Sequence, residues 1–137
     1  TFNLAEGGQD TLVYRVISDD NTGGNDNDII NDFWVGTIEA TSNADRIDIS
    51  DLLVGYSADS DGPAHYINGV PTLDGGEDIT DYISLENISG NSAEIWIDRD
   101  GSGSSYSSEL LLTINFENVN PDTDTLTMML ANHQFVL

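Results

Sequence analysis

Asp26-Asn27-Asp28-Ile29-Ile30-Asn31-Asp32-Phe33, followed after a Gly-containing gap by Asp45-Arg46-Ile47-Asp48-Ile49-Ser50, is the stretch on which the fold class turns. Both segments alternate polar and apolar residues. That is the period of a strand, whose successive side chains face opposite sides, and not that of a helix. Ile29, Phe33, Ile47 and Ile49 then serve a core, while Asp26, Asp28, Asp45 and Asp48 gather at strand ends. Clustered like charges cost stability unless something neutralises them, and Arg46 offsets only one carboxylate. A pair of solvated strand faces is the bland alternative; a bound cation is the reading that answers the charge.

The same pattern recurs outward along the chain. Strand-like runs fall at 11–17, 29–33, 47–49, 82–85, 93–97, 110–116 and 126–130, separated by Gly, Asn and Asp clusters, with no sustained apolar pattern at helical spacing. The class expected is all-β, a β-roll or β-sandwich-like single domain over 1–137, stabilised by calcium, with at most one or two short helical turns. One such turn is expected at Ser50-Asp51-Leu52-Leu53, with Ser50 as cap and Gly55 closing it. Residues 57–78, with Gly62-Pro63, Gly69, Pro71 and Gly75-Gly76, read as a long loop or insertion with room for a hairpin.

Charge narrows the partner. Twenty-five Asp and Glu against three Arg and no Lys leave a net charge of -22 on 137 residues. Such a chain self-repels and stays expanded unless counter-ions bind at fixed places. An apolar content of 38 %, including Trp34 and Trp96, nonetheless suffices for one core. Nucleic acid is excluded as a partner, since phosphate binding rests on Lys and Arg. The absence of cysteine removes disulfides and zinc thiolates, and the oxygen-rich inventory of Asp, Asn, Ser and Gly carbonyls suits Ca²⁺. No basic-then-apolar leader opens the chain and no segment has transmembrane length, so a soluble, secreted or cell-surface piece without membrane insertion is expected.

Two further constellations offer ligands. In Gly7-Gly8-Gln9-Asp10-Thr11-Leu12 the glycines permit a tight turn that aims carbonyls at a cation, with Gly8 and Asp10 as ligands, but an ordinary hairpin loop fits equally. Asp98-Arg99-Asp100-Gly101-Ser102-Gly103-Ser104-Ser105-Tyr106-Ser107-Ser108-Glu109 carries oxygen ligands at alternate positions (Asp98, Asp100, Ser102), a glycine at the sharp turn and a terminal Glu109 able to bind in a bidentate way. Strand-like flanks rule out an EF-hand, and a slack Ser/Gly hairpin connection is the alternative.

Taken in order, Gly8-x-Asp10-Thr11-Leu12-Val13-Tyr14, Asp28-Ile29-Ile30-Asn31-Asp32-Phe33, Asp45-Arg46-Ile47-Asp48-Ile49-Ser50-Asp51-Leu52-Leu53-x-Gly55, Asp81-Tyr82-Ile83, Ile97-Asp98-Arg99-Asp100-Gly101-Ser102-Gly103 and the ending Leu130-Ala131-Asn132-His133-Gln134-Phe135-Val136-Leu137 resemble the C-terminal type I secretion target domain of giant bacterial RTX adhesins. Two departures stand out: a true nonapeptide array is missing, and 57–78 lies outside the shared motifs. The resemblance implies an uncleaved C-terminal signal that engages an ABC transporter, export of the unfolded chain, calcium-driven folding outside the cell, and upstream domains of the same protein. The rival is a calcium-dependent adhesin domain that binds a sugar or peptide through Tyr56, Tyr66 or Trp96. No nucleophile elbow or zinc helix argues for an enzyme.

Overall fold

The structure is a computed structural model, and it describes residues 1–5, 7–15, 27–54, 65–67, 70–72 and 79–137. Its strands are β1 (Phe2–Asn3), β2 (Thr11–Val13), β3 (Asp28–Phe33), β4 (Arg46–Asp48), β5 (His65–Ile67), β6 (Val70–Thr72), β7 (Ile83–Ser89), β8 (Ser92–Ile97), β9 (Glu109–Phe116) and β10 (Phe135–Val136). A 3₁₀ turn at Ile79–Asp81 precedes β7, and one helix, α1 (Thr125–Ala131), precedes β10. Among the described residues the regular structure is thus mostly strand with one short helix, and the two larger sheets are of mixed and parallel type.

The order of the strands shows how the chain winds. One sheet runs β1-β3-β9-β8-β7, a second runs β10-β4-β2, and β5 and β6 pair by themselves. β1, β3 and β9 are mutually parallel, as are β2, β4 and β10. The chain therefore alternates between two sheets three times: β1 to β2, β3 to β4, β9 to β10. The antiparallel strands β7 and β8 are interposed before the third coil and extend the first sheet beyond β9.

Residues of successive coils stack in columns, as they must when parallel strands share one register. Phe2, Ile30 and Ile114 form one column, and Leu12, Ile47 and Phe135 another. Ile30, Ile47 and Ile114 are fully buried in a single cluster that also takes in Phe33, Ile95 and Phe116, with the Phe33 and Phe116 rings packed edge to face at 6.1 Å. On the outer face of the first sheet, Asn115 Nδ2 donates to Asn31 Oδ1 at 2.7 Å and Asn31 Nδ2 donates to Asn3 Oδ1 at 2.7 Å. This three-rung ladder ties the coils together with side-chain amides.

Several sequence expectations change. The run at 126–130 is helix, not strand: Leu126, Met129 and Leu130 are buried at i, i+3 and i+4, and Leu, Met and Ala are strong helix formers. Asp122 Oδ1 accepts from the Asp124 N–H at 3.0 Å and the Thr125 hydroxyl at 3.1 Å, which steadies the entry to α1. Ser50-Leu53 makes only a turn, closed by Leu52 N–H to Ile49 O at 2.8 Å. The Ser50 hydroxyl does not cap it but donates to Asp48 Oδ1 at 2.6 Å. The strand expected over 11–17 is seen at Thr11–Val13, and residues 16 and 17 lie outside the described part, as does Gly55. Within 57–78 the described residues form the antiparallel pair β5 and β6.

Candidate metal centre

The first cluster lies where β1 passes into β2. Gly7 and Gly8 have φ of 75° and 108°, backbone that an L side chain resists, and the turn they make is exposed. Gln9 pins it, its Nε2 donating to Ile38 O at 2.6 Å and Thr41 O at 2.9 Å. The next peptide, the Asp10 N–H, donates to Asp45 Oδ1 at 3.1 Å, and Asp45 Oδ2 accepts the Trp34 N–H at 2.8 Å. Asp45 is 2 % exposed. Burial pushes its carboxyl up from the ordinary range, against the pull of the Trp34 and Asp10 N–H groups, while the nearby Asp10 charge adds to the rise.

A cavity of about 250 Å³ opens beside this turn, with Gly7, Gly8, Asp32, Asp45 and Glu117 among its lining residues. The structure thus brings Gly8 and Asp45, expected in separate clusters, to one cavity, together with Asp32 and Glu117. Asp32 sits where the register of β3 against β9 shifts, at φ 63°, so strict alternation does not describe its direction. That irregularity is why the sequence pattern passed it over. On the connection from β3 to β4, Gln134 is fully buried, its Nε2 donating to Trp34 O and Asp45 O at 3.0 and 2.8 Å and its Oε1 accepting from the Gly36 N–H at 3.1 Å. Asn118 grips Val35 N–H and C=O at 2.9 and 2.7 Å. Gln134 and Asn118 were not anticipated. No pattern marks a polar side chain destined for a turn far away in sequence.

The second cluster divides. Asp28 accepts the Tyr14 hydroxyl at 3.4 Å, and burial, then the Asp28 charge, raises the phenol far above its usual range. Asp48 pairs with Arg15 at 3.2 Å, and Arg15 also reaches Asp51 at 3.1 Å. Burial acts to raise the Asp48 carboxyl, but the Ser50 hydroxyl, Arg15 and the Ser50 N–H outweigh it and hold it low. Arg15, not Arg46, is therefore the neutralising cation here, while the buried Arg46 Nε has no hydrogen-bond partner. Asp26 lies outside the described residues.

The third cluster is the turn from β8 to β9. Asp98 Oδ1 accepts from the Asp100 N–H at 3.3 Å, and Asp100 turns its own oxygens onto the N–H groups of Ser105 (2.8 Å) and Tyr106 (3.2 Å). Burial and then contact with Asp100 raise the Asp98 carboxyl; the Ser105 N–H leads the interactions that lower Asp100. Arg99 points into the protein, with Nε donating to Leu52 O at 2.8 Å and its guanidinium 4.5 Å above the Tyr106 ring. Gly101, at φ 57°, lies so close to the Tyr82 ring that a Cβ would come within 2.5 Å of it. Ser102 is exposed in the loop, and Glu109 opens β9 opposite Ile97.

Three acidic clusters thus exist as separate places in the fold, and among the described residues no three His, Cys, Asp or Glu side chains converge closely enough to hold a metal between them. Trp96 is half-buried, its indole N–H donating to Glu94 at 2.8 Å. Tyr56 and the side chain of Tyr66 lie outside the described part. Comparison with protein-family models, curated proteins and solved structures finds no match in any of the three.

Proposed function

We propose that this chain is a calcium-responsive β-roll module of a secreted RTX-type adhesin, carrying a C-terminal type I secretion signal and folding when calcium neutralises its carboxylates outside the cell. The observation that carries this reading is the three-coil winding through two sheets whose coil strands are parallel, together with the turn from β8 to β9, where Asp98 and Asp100 lie side by side near the surface. Turns between stacked coils place backbone carbonyls and carboxylates together, which is the donor set a hard cation takes. With a net charge of -22 and three Arg, the chain has few internal means of neutralisation.

Physically, the charge provides a switch. In calcium-poor cytosol self-repulsion favours the expanded, exportable chain; calcium at about 10⁻⁴ to 10⁻³ M, the range of extracellular modules, stabilises only the folded form. The C-terminal segment belongs to that folded form, since Leu130, Gln134 and Phe135 are buried. A transporter that reads this segment therefore reads it before folding. Folding outside then helps draw the chain forward.

A calcium titration followed by circular dichroism and melting temperature tests the reading, with magnesium alongside. Gain of β signal and a rise in Tm with calcium are expected; neither changing would sink it. For export, a passenger carrying this chain at its C-terminus is expected in the medium of a host with a type I exporter. Equal export of the passenger without the chain, or unchanged export with external calcium chelated, would remove the signal or the pulling step respectively.

A further inference from the structure

Glu86-Asn87-Ile88-Ser89-Gly90-Asn91-Ser92 closes the hairpin of β7 and β8, and it holds a triplet found nowhere else in the chain. Of thirteen Asn, only Asn87 has a Ser or Thr two places on, with Ile88 and not Pro between. Asn-x-Ser/Thr is the acceptor pattern for attaching a sugar to an Asn side chain, and as a pattern it is common. What the fold does with it is less so. Glu86 pairs with Glu94 and Ser89 with Ser92, so Asn87 and Ile88 stand together opposite Ala93 as a β-bulge. Asn87 takes φ 49°, and Asn87, Ile88 and Ser89 are all exposed. β7 is the last strand of its sheet, so the outer edge of this triplet meets no further strand of that sheet among the described residues.

The bulge also decides where the Asn87 side chain goes. Ile83 is buried, and strict alternation would send Asn87 to the same inner face. Instead Asn87 Nδ2 donates to Glu94 Oε2 at 2.6 Å on the outer face of the sheet, and Trp96 Nε1 donates to the same oxygen at 2.8 Å. Those two donors, Asn87 the stronger, hold the Glu94 carboxyl below its ordinary range. The amide nitrogen of the triplet and a half-buried indole are therefore neighbours across one carboxylate oxygen.

We propose that Asn87 is an N-glycosylation acceptor and that its first sugar lies against the Trp96 indole. Transfer forms a bond from Asn87 Nδ2 to C1 of a sugar, breaks the bond from C1 to a diphosphate leaving group, and gives one amide proton to a base of the transferase. The co-substrate is thus an activated sugar, carried on a nucleoside diphosphate or on a lipid diphosphate. Nδ2 has two hydrogens, so one stays on Glu94 while the other is replaced. Because Asn87 and Trp96 meet at one oxygen, a ring attached at Nδ2 is delivered to the indole and covers its open side. The site uses none of the Asp residues of the three acidic clusters and holds whether or not calcium binds.

The test begins with the chain recovered from the cells that make it, digested and weighed by mass spectrometry: the peptide holding Asn87 should carry sugar, and a wholly unmodified peptide overturns the proposal. The folded chain is then offered two donors, a nucleoside diphosphate hexose with a soluble N-glycosyltransferase and a lipid-linked oligosaccharide with a membrane transferase. A single hexose on Asn87 in the first arm is expected, and transfer in the second alone assigns the lipid carrier. Transfer in neither arm, or only after unfolding in urea, overturns the proposal, as does transfer that survives Ser89→Ala. For the second half, the indole N–H resonance of Trp96 should move on modification while that of Trp34 stays, and Tm should rise by about 2 °C. That rise should vanish in Trp96→Leu. An unmoved Trp96 resonance leaves the sugar in solvent and refutes the contact, whether or not Trp96→Leu folds.

Discussion

The turn that joins β3 to β4 and the turn that joins β8 to β9 are both rich in Asp, and they use it in opposite ways. In the first, Asp45 is buried and spends both oxygens on peptide N–H groups of Asp10 and Trp34, while Gln134 and Asn118 satisfy the peptides around it. In the second, Asp98 and Asp100 press against each other near the surface, and Asp100 also holds the peptides of its own loop. The same side chain is a fixed structural acceptor where protein surrounds it and a store of unrelieved charge where water does. Calcium should matter to the second kind far more than to the first.

The largest effect expected is at the buried turn. Asp45→Ala strands the part-buried N–H groups of Asp10 and Trp34 and should cost about 3 kcal/mol of stability. The loss should be the same with calcium and with chelator, as read from urea unfolding in both buffers. A loss seen only with calcium would turn the comparison around and make Asp45 a metal ligand. Gln134→Ala should follow the same pattern, since it uncovers Trp34 O, Asp45 O and Gly36 N–H together.

At the exposed turn, Asp98→Asn with Asp100→Asn should raise the calcium concentration at half-effect about tenfold while leaving the calcium-free chain as stable as before or slightly more so. An unchanged midpoint would move the cation to the cavity of Asp32, Asp45 and Glu117.

Acid distinguishes the two Asp of that loop. Asp98, raised in the folded state, contributes stability that is full below its unfolded value and fades as pH rises through its folded one. Asp100, lowered, contributes stability above its unfolded value that is lost as pH falls through its folded one. Asp45 shares the sign of Asp98. With a net charge of -22 to relieve as well, the calcium-depleted chain should melt a few degrees higher at about pH 5 than at pH 7.5. Asp98→Asn should shrink that difference, and a lower Tm at pH 5 would refute the assignment.

How much of this was legible beforehand depends on how local each feature is. β3, β4, β8 and β9 are long or regular enough for their alternation to show, and the reading places them within a residue or two. α1 escaped because Thr125-Leu126-Thr127-Met128 alternates like a strand, and seven residues are too few for the helical period to outvote it. β1 and β10, two residues each, carry no pattern at all and exist only through their parallel partners. The rungs Asn3, Asn31 and Asn115 are 28 and 84 residues apart, so nothing in the sequence joins them before the coils are stacked. Gly8 and Asp10 are expected in one cluster and Asp45 in another, and their meeting at one turn is not legible in the sequence. What pattern does not convey is that Asp45 already has hydrogen-bond donors on both oxygens.

The smallest effect probes whether the exposed turn owes its shape to Asp100. A Cβ at Gly103 would fall 2.1 Å from Asp100 Oδ2, so in Gly103→Ala the carboxylate has to leave its seat on the Ser105 and Tyr106 N–H groups. Those peptides lie in or near water and recover most of what they lose, so Tm without calcium should fall by only about 2 °C. Calcium provides the sharper reading. If the seat on Ser105 and Tyr106 competes with the cation, freeing Asp100 lowers the half-effect concentration; if it holds Asp100 ready, the concentration rises. No change in either direction would mean that Asp100 takes no part in binding, and the contrast between the two turns would then rest on Asp98 alone.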